Sequence, residues 1–199
     1  MKARLFTLFL FCAGVLFAMH WNRPKSTMEV VEEPPVVERE NFDKMMSVLT
    51  HRRCVNCHPN DGVPKQGEDS HPHNFGINGK QDSHGFAATN CASCHQAENN
   101  TYSGVPGAPE WSLAPSSMKW EGLSPIEIAE SMMDPKRNGG RTPDEVMHHL
   151  TEHELVLWAW EPGVDAQGNP RETPPLSKEE YIRVVKAWFE QGAVIPAAE

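Results

Sequence analysis

Apolar residues at helical spacing mark four segments of the chain. Phe42, Met45, Met46 and Leu49 recur as one face of a helix expected over 41–53 and running straight into Cys54. Three further segments open on one start signal: a hydroxyl residue followed three positions later by Glu, in two cases with Pro at the first helical position. They are Ser124-Pro125-Ile126-Glu127, Thr142-Pro143-Asp144-Glu145 and Ser177-Lys178-Glu179-Glu180. The first should stop before Pro135, with Asn138-Gly139-Gly140 as the turn. The second should continue through Leu150 toward Trp160 and end at Pro162-Gly163. The third presents Tyr181, Val185 and Trp188 at i, i+4 and i+7, with Ile182 and Phe189 beside them, and stops at Gly192. Residues 59–90 and 99–118 have no sustained period and read as loop, and no alternating run of strand length appears. The expected class is mostly α, with four or so helices and extensive loop.

The N-terminus has a different pattern. Lys2 and Arg4 precede a run from Leu5 to Met19 that is apolar except for Thr7, which reads over 1–21 as a signal peptide or N-terminal membrane anchor. The run is shorter than the ~20 residues of a spanning helix. Trp21, Arg23 and Lys25 stand where interfacial anchors belong, so residues 5–21 are also expected to serve as a tether. Cys12 lies mid-run after Phe11 and does not suit lipidation, and His20 belongs to the same segment. The positive start should stay in the cytoplasm, which places the remainder on the periplasmic side. Residues 22–38, with Glu29, Glu32, Glu33, Glu38 and Pro34-Pro35, read as an acidic, extended linker, leaving 39–199 as one folded domain.

Composition narrows the function. A net charge of −9 argues against nucleic acid, whose phosphates demand Lys and Arg, and suits either simple solubility or docking on a basic partner. With 39% hydrophobic and 8% aromatic residues, and with 14 Gly and 17 Pro, a core built of side chains alone would be thin. A large apolar cofactor would fill it.

Four of the five cysteines fall in two identical patterns, Cys54-Val55-Asn56-Cys57-His58 and Cys91-Ala92-Ser93-Cys94-His95. C-x-x-C-H is the attachment signature of c-type haem. Two thiols three positions apart reach the two vinyl groups on one porphyrin edge, and the following imidazole meets the iron. Cys54, Cys57, Cys91 and Cys94 are thus candidate thioethers of two haem c groups, with His58 and His95 as proximal ligands. A structural zinc would need the pairs closer than the 33 residues that separate them, and gives no reason for His after both. A redox-active C-x-x-C needs no duplicate, and adjacent C-x-x-C disulfides would staple almost nothing.

With these motifs the chain resembles the cytochrome c superfamily. The helix before Cys54 and the apolar helix Tyr181–Gln191 are similar to the two terminal helices that cross beside the haem in class I members. Gly67–His73, Pro106-Gly107-Ala108-Pro109 and Leu155–Trp160 further resemble small dihaem cytochromes named with isoquinoline 1-oxidoreductase, thought to serve molybdenum hydroxylases. The motifs are offset by 37 residues, too little for two tandem class I domains, so both haems should share one fold. The resemblance implies a loop-rich dihaem cytochrome c-like domain that is an electron carrier rather than an enzyme. Its implied partners are redox proteins: a molybdenum hydroxylase or other dehydrogenase as donor, and a respiratory acceptor. A small peroxidase-type enzyme and a haem-based sensor are the alternatives.

The sixth ligands are less determined. His71 and His73 flank Pro72 in the loop after the first motif, and one of them is expected on the first iron. Met118 follows Pro115 in a loop of the kind that supplies Met in class I cytochromes, and is expected on the second. His149 and His153, one helical turn apart, are the alternative to Met118. His148 is a weaker candidate, and His84 lies too close to Cys91 to arch over it. His51 is expected near a propionate with Arg52 and Arg53. Met45, Met46, Met132 and Met133 read as core. Trp158 and Trp160 suit either a porphyrin contact or an aromatic core.

Overall fold

The structure, a computed structural model, describes residues 36–78, 85–86 and 89–197. The signal or anchor segment, Cys12, His20 and His84 lie outside the described residues. Among the described residues no helix is long and apolar enough to cross a membrane.

Helix α1 spans Val36–Leu49 and buries Phe42, Met45, Met46, Val48 and Leu49, the face its spacing anticipates. It begins inside the segment expected to be linker, so the last three residues of 22–38 are helical. Nor does it run unbroken into the first motif. Thr50 turns its hydroxyl back to the Met46 carbonyl at 2.7 Å, and His51 is extended at φ −68, ψ 150. The His51 ring then accepts from the Arg53 amide at 3.3 Å and caps a new short helix, α2 (Arg52–Val55). Side-chain bonds to the backbone of this kind interrupt helices. The break lets the turn carrying Cys54 aim independently of α1.

The three start signals each open a helix. In α3 (Pro125–Met133) and α4 (Pro143–Glu152) the capping box is reciprocal: the Ser124 or Thr142 hydroxyl accepts from the Glu amide, and the Glu carboxylate takes the cap amide. In α6 (Lys178–Glu190) only half of the box forms, the Ser177 hydroxyl accepting from the Glu180 amide at 3.1 Å. Helix α3 ends before Pro135 as expected, and Gly139 and Gly140 turn the chain at φ +82. The helix expected from 143 toward 160 is broken at His153 (φ −73, ψ 124), giving α5 (Glu154–Leu157) and a 3-10 turn through Trp160.

Helices α1 and α6 pack on each other, with α3 against α1 and α4 against both α3 and α6. Tyr181, Val184, Val185 and Trp188 are fully buried, and Trp188 meets Phe42 with ring centroids 6.2 Å apart. Ile128, Met132, Val146 and Leu150 complete the core. Trp160 belongs to it, packed 4.7 Å from Tyr181 and donating its indole N–H to the Leu176 carbonyl at 2.7 Å. Burial of side chains this large contributes on the order of 2 kcal/mol each. The four long helices are those the sequence marks, and among the described residues sheet is confined to two short hairpins. One pairs β1 (Lys65–Gln66) with β2 (His71–Pro72), the other β3 (Gly85–Phe86) with β4 (Thr89–Asn90).

Candidate functional site

Both C-x-x-C-H motifs are wound into a single helical turn. In the first, the Cys57 amide bonds the Cys54 carbonyl at 3.1 Å and the His58 amide bonds that of Val55 at 3.0 Å. In the second, the Asn90 side chain caps a 3-10 turn by accepting from the Ala92 amide at 2.8 Å, and the Cys94 and His95 amides both bond the Cys91 carbonyl. Residues three apart on such a turn share one face, so each pair of sulfurs lies on one side.

Each histidine is held in the same way by unrelated segments. The His58 Nδ1–H donates to the Met118 carbonyl at 2.8 Å, and the ring stacks on Trp120 with centroids 3.7 Å apart and planes within 10°. The His95 Nδ1–H donates to the Pro106 carbonyl at 2.7 Å, and the ring stacks on Trp111 at 4.5 Å and 6°. A carbonyl can only accept, so the proton of each neutral ring sits on Nδ1 and Nε2 keeps its lone pair. This is how a metal-ligating imidazole is oriented and made more basic. Burial holds His58 well down, to about 4, against the opposing pull of the Met118 carbonyl; His149 lowers it further. Burial also lowers His95, again opposed by its carbonyl bond. Both rings are therefore neutral at pH 7.

The returning loop explains the geometry at His58. The Cys57 and His58 carbonyls, left over at the end of the turn, accept from the amides of Ala114, Trp120 and Glu121 at 2.9–3.1 Å. That pairing seats Trp120 on the ring. At His95 the close approach depends on Gly107. A Cβ there would run into the carbonyl oxygens of Gln96 and Glu98, so only glycine lets Pro106 reach the ring.

The first motif opens on a cavity of about 460 Å³, lined by Cys54, Cys57, His58, Met118, His149 and Trp158 among others. Its size suits a cofactor. Burial pushes the Cys54 thiol up to about 12 and the Cys57 thiol to about 11, in the latter case against the nearby Arg53 guanidinium. That direction is opposite to the lowered thiol of a disulfide oxidoreductase. Cys57 also senses Cys91, which brings the two motifs near each other. Among the described residues no three His, Cys, Asp or Glu side chains converge as in a structural zinc cage. Arg53 is buried beside the cavity, paired with the Glu68 carboxylate and donating to the Glu172 carbonyl at 2.7 Å. His51 lies 3.6 Å from Glu172, and Arg52 makes an ion pair with the same carboxylate at 3.2 Å.

The remaining candidates are paired differently from expectation. Met118 belongs to the first motif, not the second. Its carbonyl stands behind His58, and its sulfur takes the Ser131 hydroxyl at 3.7 Å. His149 also lines the first cavity, held down to about 4 by burial and then by His153, with neither ring nitrogen hydrogen-bonded among the described residues. His153 directs Nε2 to Glu110 at 3.3 Å. His148 is exposed beside Glu152. His73 stands against His95, not His58. His71 has both nitrogens engaged: Nδ1–H donates to Asp69 at 2.6 Å, and Nε2 accepts from Gln66 at 3.0 Å.

Asn99 is a structural hub with no sequence signature. Its Oδ1 accepts from the Gly107 amide at 3.0 Å and the Trp158 indole at 2.9 Å, while Nδ2 donates to the Glu161 carbonyl at 2.7 Å. Trp158 in turn meets Trp111 edge-on at 4.9 Å, so an aromatic contact links the wall of the first cavity to the ring behind His95. No family model, curated protein or solved structure matches the chain.

Proposed function

We propose that the protein is a dihaem c-type cytochrome that carries single electrons on the periplasmic side of the membrane. One observation carries this reading: two C-x-x-C-H turns, each with its histidine Nδ1 fixed by a carbonyl and its ring stacked on a tryptophan. Nothing in zinc or dithiol chemistry asks for that duplication. Cys54 and Cys57 would hold one haem and Cys91 and Cys94 the other through thioethers, with His58 and His95 as proximal ligands. The bound groups supply irons that cycle by one electron between ferric and ferrous.

The chain's own residues do the rest. The Met118 and Pro106 carbonyls hold the imidazoles in the ligating tautomer, and Trp120 and Trp111 fix their planes. The apolar wall of the first cavity lowers the local dielectric and excludes water. His149, which lines the same cavity as His58 and has no ring hydrogen bond among the described residues, would be the further ligand of the first iron. The net charge of −9 favours docking on a basic face of a dehydrogenase or hydroxylase as donor and of a respiratory acceptor. Denaturing mass spectrometry of the chain from a haem-competent host should give the polypeptide plus two haem masses. A bare polypeptide refutes the reading.

A further inference from the structure

Resting on that dihaem reading, we infer that His73 is the sixth ligand of the iron held by His95, so that the second haem has histidine on both faces. The ring centroids of His73 and His95 are 6.0 Å apart, with planes crossed at 65°. Two imidazoles sharing one metal at bond lengths of about 2 Å place their centroids roughly 6 Å apart, the extra distance being the two ring radii. Tilted or edge-packed rings also meet at such separations, as Phe42 and Trp188 do at 6.2 Å, so the distance is compatible with a shared metal and carries the assignment only together with the hydrogen bonds.

The hydrogen bonds agree with the distance. The His73 Nδ1–H donates to the Asn74 carbonyl at 2.7 Å, and the His95 Nδ1–H to Pro106 at 2.7 Å. Each ring thus keeps Nε2 unprotonated for the metal. The backbone places His73 deliberately. Its amide bonds the Pro64 carbonyl at 2.8 Å, just beyond the β1–β2 hairpin, and the hairpin is tied to the first motif by Lys65, whose amide bonds the Asn56 carbonyl at 3.1 Å. Two residues on, Phe75 is held at φ +66 with its side chain 90% exposed. A left-handed backbone is strained for a non-glycine residue, and an exposed ring returns none of that strain by packing. Strain of this kind is stored where a turn must aim a functional side chain. The rival ligands are committed elsewhere: His71 to Asp69 and Gln66, Met118 to His58, and His149 to the first cavity.

The test is made on the full holoprotein. In His73→Ala, one haem of the two should become high-spin and bind carbon monoxide when ferrous, so that half of the total haem shows the shift. In His73→Met, one midpoint potential should rise and the other stay, since thioether ligation raises haem potentials. His71→Ala should change neither. The wild-type ferric protein should show a strongly anisotropic low-spin resonance from crossed imidazole planes. Two attached haems with unchanged spin state in His73→Ala, or unchanged potentials in His73→Met, overturn the assignment and leave the dihaem reading intact. A wild-type mass lacking the second haem overturns both.

Discussion

Replacing Asn99 by Ala removes three hydrogen bonds that join the second motif to the wall of the first cavity. The Gly107 amide, the Trp158 indole and the Glu161 carbonyl all lose their partner. At about 1 kcal/mol net per bond, the loss of stability should be about 3 kcal/mol, since the Gly107 amide is buried and water cannot replace the acceptor. Asn99→Asp keeps the acceptor and loses only the donor to Glu161, so it should cost about 1–2 kcal/mol. On the proposed dihaem reading, the effect should extend to the second haem. Gly107 anchors Pro106, whose carbonyl holds His95. A looser carbonyl makes the imidazole a weaker donor, so the potential of the second haem should rise while the first stays put. Urea unfolding of the holoprotein, followed by tryptophan fluorescence, gives the stability term, and a redox titration gives the potentials. A loss below about 1 kcal/mol in Asn99→Ala, with both potentials unchanged, would refute the reasoning.

Three further outcomes follow from the same geometry. Gly107→Ala drives a Cβ into the Gln96 and Glu98 carbonyls and should cost at least about 2 kcal/mol while perturbing only the spectrum of the second haem. Trp120→Leu removes a buried ring stacked on His58 and should cost about 3 kcal/mol, with a potential change confined to the first haem. In the haem-free chain, acid should destabilise the fold through His58 and His149, both held down to about 4: the unfolded chain accepts their protons near pH 6.5 and the folded chain refuses them, whereas iron ligation in the holoprotein would remove this titration. Their contribution is present above about pH 6.5 and disappears as pH falls toward 4, which thermal melts across that range will follow.

The parts of this molecule written in neighbouring residues were legible, and those made by distant segments were not. Ser124, Thr142 and Ser177 announce helix starts because a cap and its partner lie three positions apart, within reach of the same turn. The two thiol-pair motifs are local in the same sense. The break at His51 went unmarked because no Gly or Pro stands there; the signal was a ring able to cap its own successor. Which histidine serves which motif depends on a hairpin crossing from one turn to the other and on loop 110–121 returning to the first. Neither leaves a trace in spacing. The anchors of the two imidazoles are backbone carbonyls, which have no side-chain identity to read. Trp111 and Trp120 were visible only as aromatics in loops, and Asn99 looked like any loop amide. The glycine in Pro106-Gly107-Ala108-Pro109 was the one readable clue to a close backbone approach.

On the proposed reading of an exported dihaem protein, the order of segments along the chain also sets an order of assembly. A chain threading outward from its N-terminus presents the first pair of thiols well before the second pair. Yet the wall around that pair draws on Met118, Trp120 and His149, the last of them some ninety residues downstream. The second site draws its near neighbours from a shorter stretch, with His73 already outside when Cys91 arrives and Pro106 and Trp111 close behind. The centre written first in the chain is therefore finished last. On that reading, until α4 emerges the first turn would be a half-built mould, still open for attachment of its haem.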